Sequence, residues 1–306
     1  MKQLGISVPL VTPCTREGEI DKEGLQALAR EMLDAGCHSL FVLGSTGRGP
    51  WFGRQARVEI CRTVANEIGT GIPLFAGCMA SGVGEMIENA HALAKAGAQI
   101  AVVTVPGYFR YSQPEAEQIL LTFIEKSPLP VMLYDIPTFA GIKLDLNVLL
   151  KLAQHENVIG LKDSSGDTKR FEKFARQLDF KKDFYLMQGK EDQIIKALQC
   201  GASGFVASLV QIEPRPFVAL YNAFRQGNTA QALVLQQQIA GLLELVNDCY
   251  KRRPESSTLF HLLNAVLASR GVCRNILLKH EGDCPIWLQD CAYRAVDLCK
   301  AQVIAS

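Results

Sequence analysis

A lysine ends a short apolar run in Val158-Ile159-Gly160-Leu161-Lys162-Asp163, and a polar, glycine-containing turn, Ser164-Ser165-Gly166-Asp167, follows it. β-Branched residues leading into a turn, with a helical pattern from Asp167, predict a buried strand, a loop and a helix. Lys162 then lies at the carboxyl end of a strand, where open α/β sheets and (β/α) barrels place their chemistry. Apolar walls strip solvent from an ammonium group and favour the neutral amine, which attacks carbonyl carbon. The competing role is a packed stem with its head in water, and Lys162 alone does not separate the two.

Other strand ends bring further polar groups. Gly44-Ser45-Thr46-Gly47-Arg48-Gly49 is a glycine-bracketed turn whose hydroxyls and N–H groups suit a small carboxylate, or merely cap the next helix. Tyr134, before Asp135-Ile136-Pro137, suits proton transfer near Lys162, or is an amphipathic ring at a strand end. Val105-Pro106-Gly107-Tyr108 supplies a second phenol. Gln188-Gly189-Lys190-Glu191-Asp192 supplies two carboxylates, suited to substrate hydroxyls or to the N-terminus of the next helix. All five stretches read directly from the chain.

The elements that must carry these residues alternate. Strands are predicted at Gly5–Val11, Ser39–Leu43, Ile72–Ala76, Ile100–Val105, Val131–Tyr134, from Val158, at Phe184–Met187 and at Gly204–Ala207. Helices are predicted at Asp21–Ala35, Arg54–Ile68, Gly84–Ala96, Glu115–Glu125, Leu146–Gln154, Thr168–Gln177, Asp192–Gln199 and from about Pro214. Eight strand–helix units argue a parallel sheet closed into a (β/α)8 TIM barrel over residues 1–228. A doubly wound open sheet is the alternative, but the Gly-x-Gly-x-x-Gly turn that would mark it is absent. Residues 229–306 show helical periodicity only, at Ala230–Tyr250, Ser257–Arg270 and Pro285–Val303. They predict a C-terminal helical appendage.

The 306 residues carry a net charge of +1, with 48% hydrophobic and 21% charged residues. Such a balance gives no general field for nucleic acid or membrane surfaces, and no apolar run has a spanning length. The start, Met1-Lys2-Gln3-Leu4-Gly5, leads into a strand and not a signal-peptide core. Ten scattered cysteines without a Cys-x-x-Cys pair speak against zinc or thioredoxin chemistry and for reduced thiols in a cytoplasm. Cys14 and Cys78, at strand ends, read as packing. The five histidines form no ligand cluster, which disfavours a metal-dependent aldolase, and no NAD or phosphate motif appears.

Taken in order, these pieces resemble the dihydrodipicolinate synthase/N-acetylneuraminate lyase family. The resemblance covers Val11-Thr12-Pro13, Gly44-Ser45-Thr46-Gly47, Tyr108, Tyr134-Asp135-Ile136-Pro137, Gly160-Leu161-Lys162-Asp163, Gly189 and Gly204-Phe205-Val206-Ala207. It implies a barrel with a C-terminal helical domain, assembled as a homotetramer, a dimer of dimers. It implies class I aldolase chemistry without a separate cofactor, in which Lys162 forms an imine with pyruvate or another 2-oxo acid. Tyr134 would be the acid–base, Thr46 part of the proton relay, and Tyr108 a residue lent across the tight dimer interface. Ser45 and Thr46 would seat the 2-oxo acid carboxylate, with Gly189, Glu191, Asp192 and Val206 completing the substrate site.

Three departures narrow the expectation. Members that make dihydrodipicolinate have an arginine where this chain has Phe139, and a phenyl ring cannot form a bidentate pair with a carboxylate. Arg48 stands where the family's turn has a glutamate, a reversal that would suit an anionic substrate or partner. Glu191 and Asp192 resemble, in swapped order, the acidic pair of sialic acid lyases, whereas Asp163-Ser164 differs from their usual Phe-Thr. The reading is a lyase, aldolase or dehydratase on pyruvate or a hydroxylated, sugar-derived 2-oxo acid. The alternative is a catalytically idle barrel that senses or binds a 2-oxo acid.

Overall fold

The computed structural model describes residues 4–178 and 183–303. Residues 1–3, which hold the Met1-Lys2-Gln3 start, and 304–306, the end of the expected appendage, lie outside it, as do 179–182. Eight parallel strands close into a barrel in sequence order. They are β1 (Gly5–Pro9), β2 (Ser39–Val42), β3 (Leu74–Gly77), β4 (Ile100–Val103), β5 (Val131–Asp135), β6 (Val158–Asp163), β7 (Tyr185–Gln188) and β8 (Gly204–Phe205). The intervening helices are α1 (Lys22–Asp34), α2 (Arg54–Ile68), α3 (Val83–Lys95), α4 (Gln113–Lys126), the short α5 (Pro137–Ala140), α6 (Leu146–Ala153), α7 (Thr168–Arg176) and α8 (Ile194–Gln199). α9 (Arg215–Arg225) completes the ring, and α10 (Thr229–Arg252), α11 (Ser257–Ser269) and α12 (Ile286–Val303) form the helical tail.

Side-chain alternation sorts the strand residues into two layers. Phe41, Phe75, Ile100, Val102, Met132, Tyr134, Met187 and Val206 fill the barrel interior. Their neighbours Leu40, Val42, Leu74, Ala101, Val103, Leu133, Leu161 and Leu186 face the helices. The outer layer is continuous with Leu262, Val266, Ile276 and Leu288, so the tail shares one core with the barrel.

The differences from the sequence expectation sit at element ends. β8 is only two residues long, because a 3-10 turn, Ser208–Gln211, follows almost at once. The helix expected from Asp192 begins as a separate 3-10 turn at Glu191–Gln193, and α8 starts at Ile194. α5, which periodicity cannot reveal in four residues, opens on Pro137 and ends at Gly141 in the left-handed region. Asp21 is the N-cap of α1, accepting from the Gly24 N–H at 2.9 Å.

Candidate active site

β5 and β6 pair with Tyr134 opposite Lys162 and Asp135 opposite Asp163. The strand period of two separates these pairs. Tyr134 and Lys162 point into the barrel; Asp135 and Asp163 point outward, where Arg170 of α7 meets both carboxylates. Arg170 also donates to the Leu144 carbonyl. Asp135 Oδ1 accepts from the Leu144 N–H, and Asp163 Oδ1 from the Ser165 N–H at 2.7 Å. Burial pushes the Asp135 carboxyl up, and the Arg170 guanidinium offsets only part of that rise. Each acid is thereby turned away from the Tyr134 or Lys162 beside it, and Lys162 has no ion-pair partner among the described residues.

Lys162 is only 5% exposed. Its amine lies 4.0 Å from the centroid of the Tyr134 ring and 5.1 Å from that of Phe41. The two rings meet edge to face with centroids 6.5 Å apart. A small cavity around the lysine stem is lined by Ser7, Phe41, Phe75, Val102, Met187 and Val206, among others. The structure thus brings together Lys162, Tyr134 and Val206 and adds Phe41, which sequence reasoning missed. The alternation in Leu40-Phe41-Val42 was the available sign, since it puts Phe41 inside.

The turn after β2 carries Ser45 and Thr46, both half-buried. Leu43 enters it in the left-handed region at φ 60° and Arg48 leaves it there at 53°. Glycine is required by close backbone approach. A methyl group at Gly49 or at Gly77 would overlap the Leu43 carbonyl oxygen, and one at Gly47 would lie 2.8 Å from the Leu10 carbonyl. Thr12 holds the turn by donating to the Gly47 carbonyl at 2.8 Å.

Arg48 corrects the expectation of an anion-recruiting charge. It is 2% exposed and donates through Nη1 to Glu281 Oε2 at 2.6 Å and through Nη2 to the Ile276 carbonyl. Its guanidinium also packs 4.7 Å from the Phe260 ring centroid. A cation so enclosed is unavailable to a dissolved anion.

The acidic pair divides. Glu191 is buried, and its Oε1 accepts from the Ser208 N–H at 2.9 Å and the Ser208 hydroxyl at 3.0 Å. That carboxylate oxygen satisfies the turn after β8, which carries Val206, instead of reaching for a substrate hydroxyl. Asp192 is exposed on the following 3-10 turn. Gly189 abuts Ser164 so closely that a methyl group would overlap the Ser164 hydroxyl. Tyr108 is 77% exposed and meets Phe109 edge-on at 4.9 Å between centroids; within its own chain it does not line the cavity at Lys162. Phe139, 60% exposed on α5, has its carbonyl against Gly107. Cys14 and Cys78 are buried packing residues, their thiols pushed up by burial to about 11 and about 12.

This framework is shared with known proteins. The model of the dihydrodipicolinate synthetase family matches residues 2–280. A 4-hydroxy-tetrahydrodipicolinate synthase of Streptomyces coelicolor is 31% identical over 235 residues, 77% of this chain and 76% of that protein. The dihydrodipicolinate synthase structure from Bacteroides thetaiotaomicron superposes with a TM-score of 0.87 at 26% identity, covering 96% of this chain and 97% of that one. A prophage protein of the dihydrodipicolinic acid synthase family from E. coli K12, solved in complex with pyruvate, superposes with a TM-score of 0.87 at 24% identity, covering 97% and 98%. The closed barrel, the buried lysine at its sixth strand and a family match over nearly the whole length lead to one conclusion: this chain belongs to the dihydrodipicolinate synthetase family of lyases and aldolases.

Proposed function

We propose that this chain is a class I aldolase or lyase that binds a 2-oxo acid as an imine on Lys162. The observation that carries the reading is the Lys162 amine, buried beside the Tyr134 ring and without an ion-pair partner among the described residues. The neutral amine adds to the keto carbon. The carbonyl oxygen takes up protons and leaves as water, and the protonated imine remains. That iminium draws in the electron pair of a bond to the neighbouring carbon, which allows cleavage in one direction and addition in the other. The chemistry needs no separate cofactor. Tyr134 moves the protons, with Thr46 relaying them. Ser45 and Thr46 seat the carboxylate through the turn's hydroxyls and N–H groups.

The substrate class we favour is pyruvate or a hydroxylated, sugar-derived 2-oxo acid. Dihydrodipicolinate synthesis is disfavoured, because Phe139 offers an aldehyde's carboxylate no guanidinium. We extend the substrate site to Val206, which lines the cavity at Lys162, and to Gly189 and the exposed Asp192. In assembly we favour a homotetramer in which Tyr108 reaches a neighbouring subunit's site, supported by its 77% exposure.

The test is reductive trapping. Incubation with pyruvate and borohydride should add the reduced pyruvyl mass at the Lys162 peptide, and Lys162→Ala should abolish both adduct and turnover. A folded protein that traps none of a panel of 2-oxo acids overturns the reading.

A further inference from the structure

We infer that Arg48 is a positioning residue, which locks the substrate-carboxylate turn to the tail segment between α11 and α12. This role rests on the proposed seating of a 2-oxo acid by Ser45 and Thr46. Arg48 closes that turn from within. Its N–H donates to the Ser45 carbonyl at 3.1 Å, and the Gly49 N–H donates to the Gly44 carbonyl at 3.1 Å. Its side chain leaves the turn altogether and ends 233 residues further along the chain, on Glu281. Glu281 is itself fixed, since its Oε2 also accepts from the Leu278 N–H at 2.7 Å and its carbonyl pairs with His261 Nε2 at 3.0 Å. Trp51, three residues after Arg48, stacks on His280 with ring centroids 4.8 Å apart, a second contact between the same two segments.

The pair is sealed and incompletely satisfied. The side chains of Arg48 and Glu281 are 2% and 1% exposed, and Arg48 Nε and Glu281 Oε1 have no hydrogen-bond partner. Ion pairs buried this deeply are poor devices for stability alone, and their best-attested use is to fix one arrangement out of several. The arrangement fixed here is the left-handed Arg48 backbone, which determines how the Ser45 and Thr46 groups face the mouth. The helical tail is therefore part of the substrate site, although none of its residues lines the cavity at Lys162.

The experiment traps two probes at the Lys162 peptide, pyruvate and hydroxyacetone, which has a carbonyl but no carboxylate. Arg48→Met should trap pyruvate at subsaturating concentration about tenfold more slowly than wild type and hydroxyacetone within about twofold of it. A lost carboxylate orientation of this kind corresponds to one or two hydrogen bonds. The charge-exchanged double variant Arg48→Glu/Glu281→Arg should recover pyruvate trapping relative to Glu281→Arg alone. Should Arg48→Met fail to fold, Glu281→Gln carries the same comparison. Equal loss of both probes in a folded variant, or no loss of either, overturns the positioning role while leaving the imine chemistry intact. A wild type that traps neither probe overturns the Schiff-base reading and this role with it.

Discussion

Lys162 and Tyr134 are register partners on adjacent parallel strands, and the amine stands 4.0 Å from the centre of the phenol ring. The ring itself forms a wall for the amine, so two functions of Tyr134 are separable. Packing belongs to the ring and, under the proposed chemistry, proton transfer to the hydroxyl. Tyr134→Phe keeps the first and removes the second. Turnover of a 2-oxo acid substrate should fall about 10²–10⁴-fold, with thermal stability nearly unchanged and the Lys162 adduct still trappable. Loss of the adduct together with stability would instead mark Tyr134 as packing only, as circular dichroism and intact mass would show.

Arg170 neutralises two acids one register step beyond the Tyr134–Lys162 pair. Arg170→Met leaves Asp135 and Asp163 buried and uncompensated, at a cost of about 3–5 kcal/mol in unfolding free energy. The deficit should shrink as pH falls and the Asp135 carboxyl, which burial already pushes up, takes up a proton. Denaturant titrations of both proteins at neutral and acidic pH measure it, and a pH-independent deficit would show that packing, not charge, is lost.

The glycines around the active-site turns divide by what a methyl group would strike. At Gly77 it meets the Leu43 carbonyl, which is backbone and cannot turn aside. Gly77→Ala should therefore cost about 1–3 kcal/mol with no single rescuing substitution. At Gly189 it meets chiefly the Ser164 side chain, so Gly189→Ala/Ser164→Ala should regain most of the stability lost in Gly189→Ala. Melting temperatures of the three proteins would check the contrast.

Two histidines, His261 fully buried and His38 exposed with its ring partly covered, make the fold sensitive to acid. His261 Nε2 donates to the Glu281 carbonyl and leaves Nδ1 without a partner; His38 Nδ1 accepts from the Ile6 N–H at 3.1 Å. Burial holds both rings below the ordinary 6.5. The unfolded chain then binds protons that the folded one refuses, so stability present above 6.5 is lost progressively as pH falls below it. The melting temperature should drop between pH 7.5 and 5.5, and His261→Leu should flatten part of that slope. An unchanged slope would remove His261 from the account.

Phe139 is a specificity position under the proposed chemistry. Phe139→Arg places a guanidinium on α5 and should lower the KM for a carboxylate-bearing aldehyde acceptor by about tenfold, the worth of one charged hydrogen bond. The KM for a neutral aldehyde should stay within twofold. Steady-state kinetics with both acceptors would decide, and equal changes would show that position 139 does not meet the acceptor.

The barrel was legible because strand and helix periods alternate with little interruption from Gly5 to Pro214, and α2 matched its expected bounds of Arg54 and Ile68. Lys162 and Tyr134 were legible because each ends an apolar run. Less visible were the partners. Nothing near Glu191 marked it as a cap for Ser208, which lies 17 residues on. The Arg48–Glu281 pair depends on how the tail folds back, and no local pattern encodes a contact between such distant residues. The Arg170 clamp could have been inferred, since Tyr134-Asp135 and Lys162-Asp163 place two acids on one outer face once the strands pair.

The Arg48–Glu281 lock also sets an order of events during synthesis. Ribosomes release the chain from its amino end, so the turn with Ser45 and Thr46 emerges long before Glu281 exists to hold Arg48. Contacts of such long sequence separation form late. A nascent chain with all eight strands made would still lack the finished turn. Under the proposed chemistry, Lys162 would therefore acquire its substrate seat only after the segment that carries Glu281 has been made.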